Sequence, residues 1–127
     1  MKDLKLKIFM AIKDNLIQDK SFRFSLSIIR LYKKLQEERE FIISKQILRS
    51  ATSVGANIEE AIAGQSKRDF LAKISISLKE ARETHYWLRL LSESELTEIE
   101  VTELKNEILE IVNILSAIVK TTRARLK

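Results

Sequence analysis

A chain of 127 residues with no proline, two glycines and no cysteine is one domain's worth of polypeptide, and its composition favours helix over a turn-rich β fold. The missing cysteine excludes disulfides, thiolate nucleophiles and cysteine-bound metals. No apolar run is long enough to span a bilayer or make a convincing signal peptide, so a cytoplasmic protein without membrane association is expected. The net charge of +5 is uneven: residues 1–50 carry twelve Lys/Arg against six Asp/Glu, residues 51–90 six against five, and residues 91–127 five against seven. Such an excess suits a polyanionic partner, and it equally suits solvated helix faces.

Residues 1–20 read two ways. Leu4, Leu6 and Ile8 alternate as in a strand, whereas Ile8 or Phe9, Ile12 and Leu16 recur as in a helix. They are expected to form an N-terminal extension with a short, loosely packed helix. From Ser21 the pattern is helical: Phe22, Leu26 and Ile29 make one stripe, with Phe24, Ile28, Leu31 and Leu35 beside it. The charged run Glu37–Glu40 should end this helix. Ser44 is the expected N-cap of the second, with Ile43 and Leu48 as a hydrophobic staple.

The second helix carries Ile47, Leu48, Ala51, Val54, Gly55, Ile58 and Ile62 at spacings of three and four. Gly55 inside a helix costs about 1 kcal/mol relative to alanine, which suggests a closely passing backbone. Gly64 occupies the position expected of a left-handed residue after a helix end. Ser66 should cap the third helix, with Asp69 near its positive end. That helix has Phe70, Leu71, Ile74, Leu78, Ala81, His85 and Leu88 on one face and a second strip of Ile76, Trp87 and Leu90 off it. The fourth should open at Thr97 with Glu100 in a capping box and Leu96 with Val101 as a staple. It then runs through Leu104, Ile108, Ile111, Val112, Leu115, Ile118 and Val119. Four amphipathic helices with short connections imply an all-α, antiparallel up-and-down four-helix bundle in a single domain over 1–127.

Catalytic patterns are scarce. One histidine, His85, cannot complete a Glu-x-x-His di-metal set or a zinc-protease motif, and no glycine-rich phosphate loop exists. His85 lies on the apolar stripe, where a core histidine is the simpler identity. Glu59 and Glu60 beside Asn57 could serve as an acid–base pair, or pair with a cation across a helix interface. Tyr86 and Trp87 could stack on bases or anchor packing. The basic residues are the better lead. Lys45 and Arg49 share a face of helix two, and Lys67, Arg68 and Lys73 crowd the start of helix three, where cations oppose the helix dipole.

The run Lys45–Ala61 (KQILRSATSVGANIEEA), with Ser66, Asp69-Phe70, Lys73, Lys79-Glu80, Glu83-Thr84 and Tyr86-Trp87-Leu88 after it and Ser21-Phe22 and Ile29-x-Leu31 before it, resembles the bacterial 23S rRNA intervening-sequence protein family, also called four helix bundle proteins. The likeness covers roughly residues 20–92. It implies a four-helix bundle assembling as a ring-like homopentamer with a central channel and no catalytic activity or cofactor. A related branch resembles the accessory variability determinant of diversity-generating retroelements, which binds nucleic acid and engages a reverse transcriptase. The expectation is therefore a non-enzymatic oligomer binding RNA or DNA through Lys45, Arg49, Lys67, Arg68 and Lys73, with Arg123, Arg125 and Lys127 as a basic tail. Gly55, Asn57, Glu60, Tyr86 and Trp87 would serve packing or assembly. The alternative is an adaptor whose oligomeric surface docks a protein such as a reverse transcriptase. The stretch Glu93–Glu110 holds seven acids and only Lys105 among the bases, which weighs against tight nucleic-acid binding.

Overall fold

The computed structural model describes residues 2–126, with side chains from Asn15 onward. Four helices make up the chain: α1 (Lys2–Glu37), α2 (Ile43–Ile62), α3 (Lys67–Glu93) and α4 (Thr102–Leu126). Each packs on its neighbours in sequence, and α1 closes the ring against α4. Cross-links between helices give the direction. Gln18 meets Glu59 and Gln36 meets Ser44 between α1 and α2, Arg49 meets Glu80 and Lys73 meets Glu60 between α2 and α3, and Lys105 meets Ser92 between α3 and α4. One partner's number rises as the other's falls, so the bundle is antiparallel, up and down, as the periodicity predicts.

The break expected near residue 20 is absent. α1 runs 36 residues, about 54 Å at 1.5 Å per residue. Nothing at Ser21 interrupts it, because the Ser21 hydroxyl donates to its own helix, to the Gln18 carbonyl at 3.0 Å. Ile17 is fully buried and continues the line of Phe24, Ile28, Leu31 and Leu35. The neighbouring stripe of Phe22, Leu26 and Ile29 faces outward instead, with Phe22 63% exposed.

The helix ends differ from expectation in three places, each for a local reason. Glu40, not Ser44, caps α2: its carboxylate accepts from the backbone N–H groups of Ile42 (3.2 Å), Ile43 (2.8 Å) and Ser44 (2.6 Å). Ser44 is buried inside the first turn, where its hydroxyl donates to the Glu40 carbonyl and accepts from Gln36. Burial pushes the Glu40 carboxyl up, but those amides and the Ser44 hydroxyl outweigh it and hold the group below the usual carboxylate range. Second, no glycine has positive φ. The left-handed positions are Arg39 (φ 62°) and Glu95 (φ 61°), and Glu40 N–H reaches back to the Leu35 carbonyl around Arg39. Gly64 is needed for space, since a Cβ there would lie 3.0 Å from the Ala61 carbonyl oxygen. Third, α4 starts at Thr102 and not Thr97. Residues 97–101 form an irregular connection that buries Val101 and half-buries Ile99, while Glu100 accepts from the Thr102 N–H at 3.3 Å and from its hydroxyl. Thr97 donates to Glu38 at 2.7 Å and ties the two loops of that end together. The Ser66 cap of α3 is as predicted, accepting from Asp69 N–H at 3.1 Å.

The core is aliphatic apart from Phe24, with Ile28, Leu35, Ile47, Ile58, Ile74, Leu88, Ile108 and Leu115 all closed to solvent. α2 and α3 make the most extensive contact because small residues line both: Ser50, Ala51 and Val54 face Ser77, Ala81 and Thr84. The buried Ser77 hydroxyl donates to the Val54 carbonyl at 2.8 Å, and the Ser50 and Thr84 hydroxyls lie 2.8 Å apart. Every buried hydroxyl has a partner, as a low-dielectric interior requires.

Candidate nucleic-acid interface

The five basic residues expected on α2 and α3 do not form one patch. Lys45 projects from the outer face of α2, exposed. Lys67 and Arg68 are exposed in the first turn of α3. Arg49 is turned against α3, where it pairs with Glu80 at 3.2 Å and with Glu83. Lys73 pairs with Glu60 at 3.1 Å. These two cations therefore hold α2 to α3. Arg123 and Arg125 are exposed in the last turn of α4, and Lys127 lies outside the described residues.

The remaining candidates sort by contact. Asn57 donates to the Ser53 carbonyl (2.8 Å) and hydroxyl (3.0 Å) within α2. Glu59 accepts from Gln18 of α1 at 2.8 Å while Glu60 reaches α3, so the adjacent carboxylates diverge to different helices. The nearest atoms to a Cβ on Gly55 would be those of Ser21 at 3.5–3.8 Å, ordinary contact, so α1 passes close to the α2 backbone there but leaves room for a methyl. Tyr86 and Trp87 pack edge to face at 5.2 Å, and Trp87 Nε1 donates to Glu83 at 2.9 Å. The Trp87 hydrogen bond lowers the Glu83 carboxyl, burial raises it, and Arg49 lowers it further, leaving it below the ordinary range. His85 is half-buried rather than a core residue. Burial lowers its pKa first, then the positive charges of Arg89 and Lys105.

Two cations outside the expected contact set join Arg123. Arg82 on α3 and Lys120 on α4 line, with Arg123, an open groove of about 440 Å³ floored by Leu78 and Val119 and flanked by Ser116. The signal was available: Lys120 and Arg123 are three apart on α4, so they share a face, and the antiparallel register brings that face to Arg82. On the opposite flank of α4, Glu103, Glu107 and Glu110 line grooves shared with Arg23, Arg30 and Lys34 of α1, and Lys20 pairs with Glu110 at 2.8 Å. Among the described residues no cluster of three or more His, Asp or Glu is arranged to hold a metal, and no helix is long and apolar enough to cross a membrane.

Comparison with known proteins agrees with this architecture. The chain is similar to the crystal structure of a protein of unknown function from the S23 ribosomal protein family of Bacteroides thetaiotaomicron VPI-5482. The identity is 50% over 85% of this chain and 98% of that one, with a TM-score of 0.81. No curated protein matches it. The pattern of the 23S rRNA-intervening sequence proteins matches residues 13–117, nearly the whole bundle, and the chain therefore belongs to that family.

Proposed function

We propose that this chain is a non-enzymatic, cytoplasmic homo-oligomer that binds RNA or DNA by its phosphates. The observation that carries the reading is an excess of exposed cations over internal partners. Ion pairs among the described residues engage Lys20, Arg23, Arg49, Lys73 and Arg89. Lys45, Lys67, Arg68, Arg82, Lys120 and Arg123 are exposed and have no carboxylate partner among the described residues. Self-association is supported by the outward stripe of Phe22, Leu26 and Ile29 and by Ile76, Tyr86 and Leu90 on the outer side of α3, surfaces that sister copies would cover. A homopentamer is the assembly the family resemblance suggests.

Phosphate binding releases counterions, so affinity for duplex RNA and DNA should fall steeply as salt rises. Fluorescence anisotropy on both duplexes across a salt series tests this, with light scattering for the mass. Absence of binding at low salt, or salt-independent affinity, refutes the nucleic-acid reading. A second reading, an adaptor that docks a protein such as a reverse transcriptase, is favoured by one observation: Phe41, Ile42 (73% exposed) and Leu96 gather in the loops at one end of the bundle. Substituting those three with serine would abolish capture of such a partner and leave nucleic-acid affinity unchanged.

A further inference from the structure

We infer that the α3–α4 groove is the phosphate-binding track of this protein, with Arg82, Lys120 and Arg123 as its contact residues. The assignment rests on the nucleic-acid reading above and gives it a place.

Four observations converge on the groove. Its lining holds three cations, a hydroxyl and an apolar floor, but no carboxylate. None of the three cations makes an ion pair or hydrogen bond among the described residues, so each is available to an incoming anion without first breaking a bond. The positive flank continues beyond the groove. Lys105 of α4 reaches Ser92 of α3 at 3.3 Å, and Arg89 lies on α3 nearby, partly offset by Glu93 at 3.3 Å. His85 sits between them, its pKa lowered first by burial and then by the charges of Arg89 and Lys105. From Lys105 to Arg123 the α4 axis rises about 27 Å, the length of about eight phosphates along one strand of B-DNA.

The chemistry selects a linear polyanion over a small one. Arg82 and Arg123 offer planar, multi-donor forks suited to phosphate oxygens, and Lys120 supplies a point charge. The groove is open, so it does not enclose a small ligand as a pocket would. A backbone laid along it would bring phosphates to Arg82, Lys120 and Arg123.

The test compares duplex binding by the full chain with that of Arg82→Gln/Lys120→Gln/Arg123→Gln and of a charge-matched triple, Lys45→Gln/Lys67→Gln/Arg68→Gln. Each neutralised phosphate adds about 0.9 to the log–log salt slope for duplex DNA. The groove triple should therefore flatten the slope by about 2.7, or about 40-fold less affinity loss between roughly 50 and 200 mM salt. The matched triple should change the slope by less than about 0.9. In wild type, bound duplex should raise the His85 titration midpoint seen by NMR. An unchanged groove triple with a weakened matched triple overturns the groove assignment while the nucleic-acid reading survives. Wild type that binds neither duplex removes both. Displacement of duplex by inorganic phosphate at equal phosphate concentration would reassign the groove to small anions and overturn the backbone assignment.

Discussion

Arg49 separates a structural cation from a functional one, and Arg49→Gln tests the distinction. In wild type its guanidinium bridges Glu80, 19% exposed, and Glu83, 36% exposed, while being 51% exposed itself. A fully exposed pair contributes about 0.2–1 kcal/mol and the loss of one partner from a buried pair costs about 3–5. Two half-screened contacts place Arg49→Gln at about 1.5 kcal/mol. For a chain of 127 residues the entropy of melting is about 0.27 kcal/mol/K, so the midpoint should fall by about 6 °C. Thermal melting followed by circular dichroism at fixed protein concentration measures this, since assembly makes the midpoint concentration-dependent. A cycle with Glu83→Gln, which keeps an acceptor for Trp87, should return a coupling of about 0.5–1 kcal/mol. Duplex affinity and its salt slope should not move. If the melting point is unchanged and the salt slope drops by about 0.9, Arg49 meets phosphate rather than Glu80 and Glu83, and the structural assignment is wrong.

Other positions give sharper local tests. Glu40→Gln weakens the start of α2, costing about 1 kcal/mol at neutral pH. Because the folded carboxyl lies below its unfolded value near 4.3, the unfolded chain protonates first on acidification. Wild type should thus lose stability below about pH 4.3 more steeply than the variant, read by melting across pH; parallel pH curves would count against the cap. Gly55→Ala should stabilise by up to about 1 kcal/mol, since the added Cβ finds ordinary contact with Ser21. A loss instead would mean that a second copy presses on α2 there. Trp87→Ala should cost about 2 kcal/mol, less than a fully buried tryptophan because the ring is half-buried. Light scattering then shows whether the mass also falls; unchanged mass and melting point would exclude Trp87 from both core and interface.

The bundle itself was readable because its signal is redundant: every helix repeats the same three-four spacing several times, and α4 buries all the residues its periodicity names except Leu104, which is half-buried. The ends were harder because each depends on one or two atoms. Ser44 has the right side chain for a cap, but Glu40 reaches three amides with a charged group, which is the stronger acceptor. Gly64 has the right freedom for a left-handed turn, yet the strain sits at Arg39 and Glu95, where backbone bonds around the corner hold it. On α2 and α3, spacing placed Arg49 and Lys73 near other cations but was silent on the carboxylates of the facing helix. Which charges are free is a property of register, and register emerges only when two helices meet.

The same reasoning answers the part of the acidic-stretch objection that rests on Glu103, Glu107 and Glu110. A helix turns 100° per residue, so charges adjacent in sequence part company in space. Glu103, Glu107 and Glu110 follow one line toward α1, while Lys105, Lys120 and Arg123 follow another toward α3. The two lines are separated by about one helix diameter, roughly 10–12 Å, which matches the Debye length near 0.1 M salt. At physiological ionic strength a polyanion in the α3–α4 groove is therefore screened from the acids behind it. At about 0.01 M the screening length grows to about 30 Å, and the acids repel it. Replacing Glu103 and Glu107 by glutamine should accordingly tighten duplex binding at low salt and leave it unchanged near 0.15 M. Equal tightening at both would mean that the acidic line touches the duplex, and that the two sides of α4 are one surface.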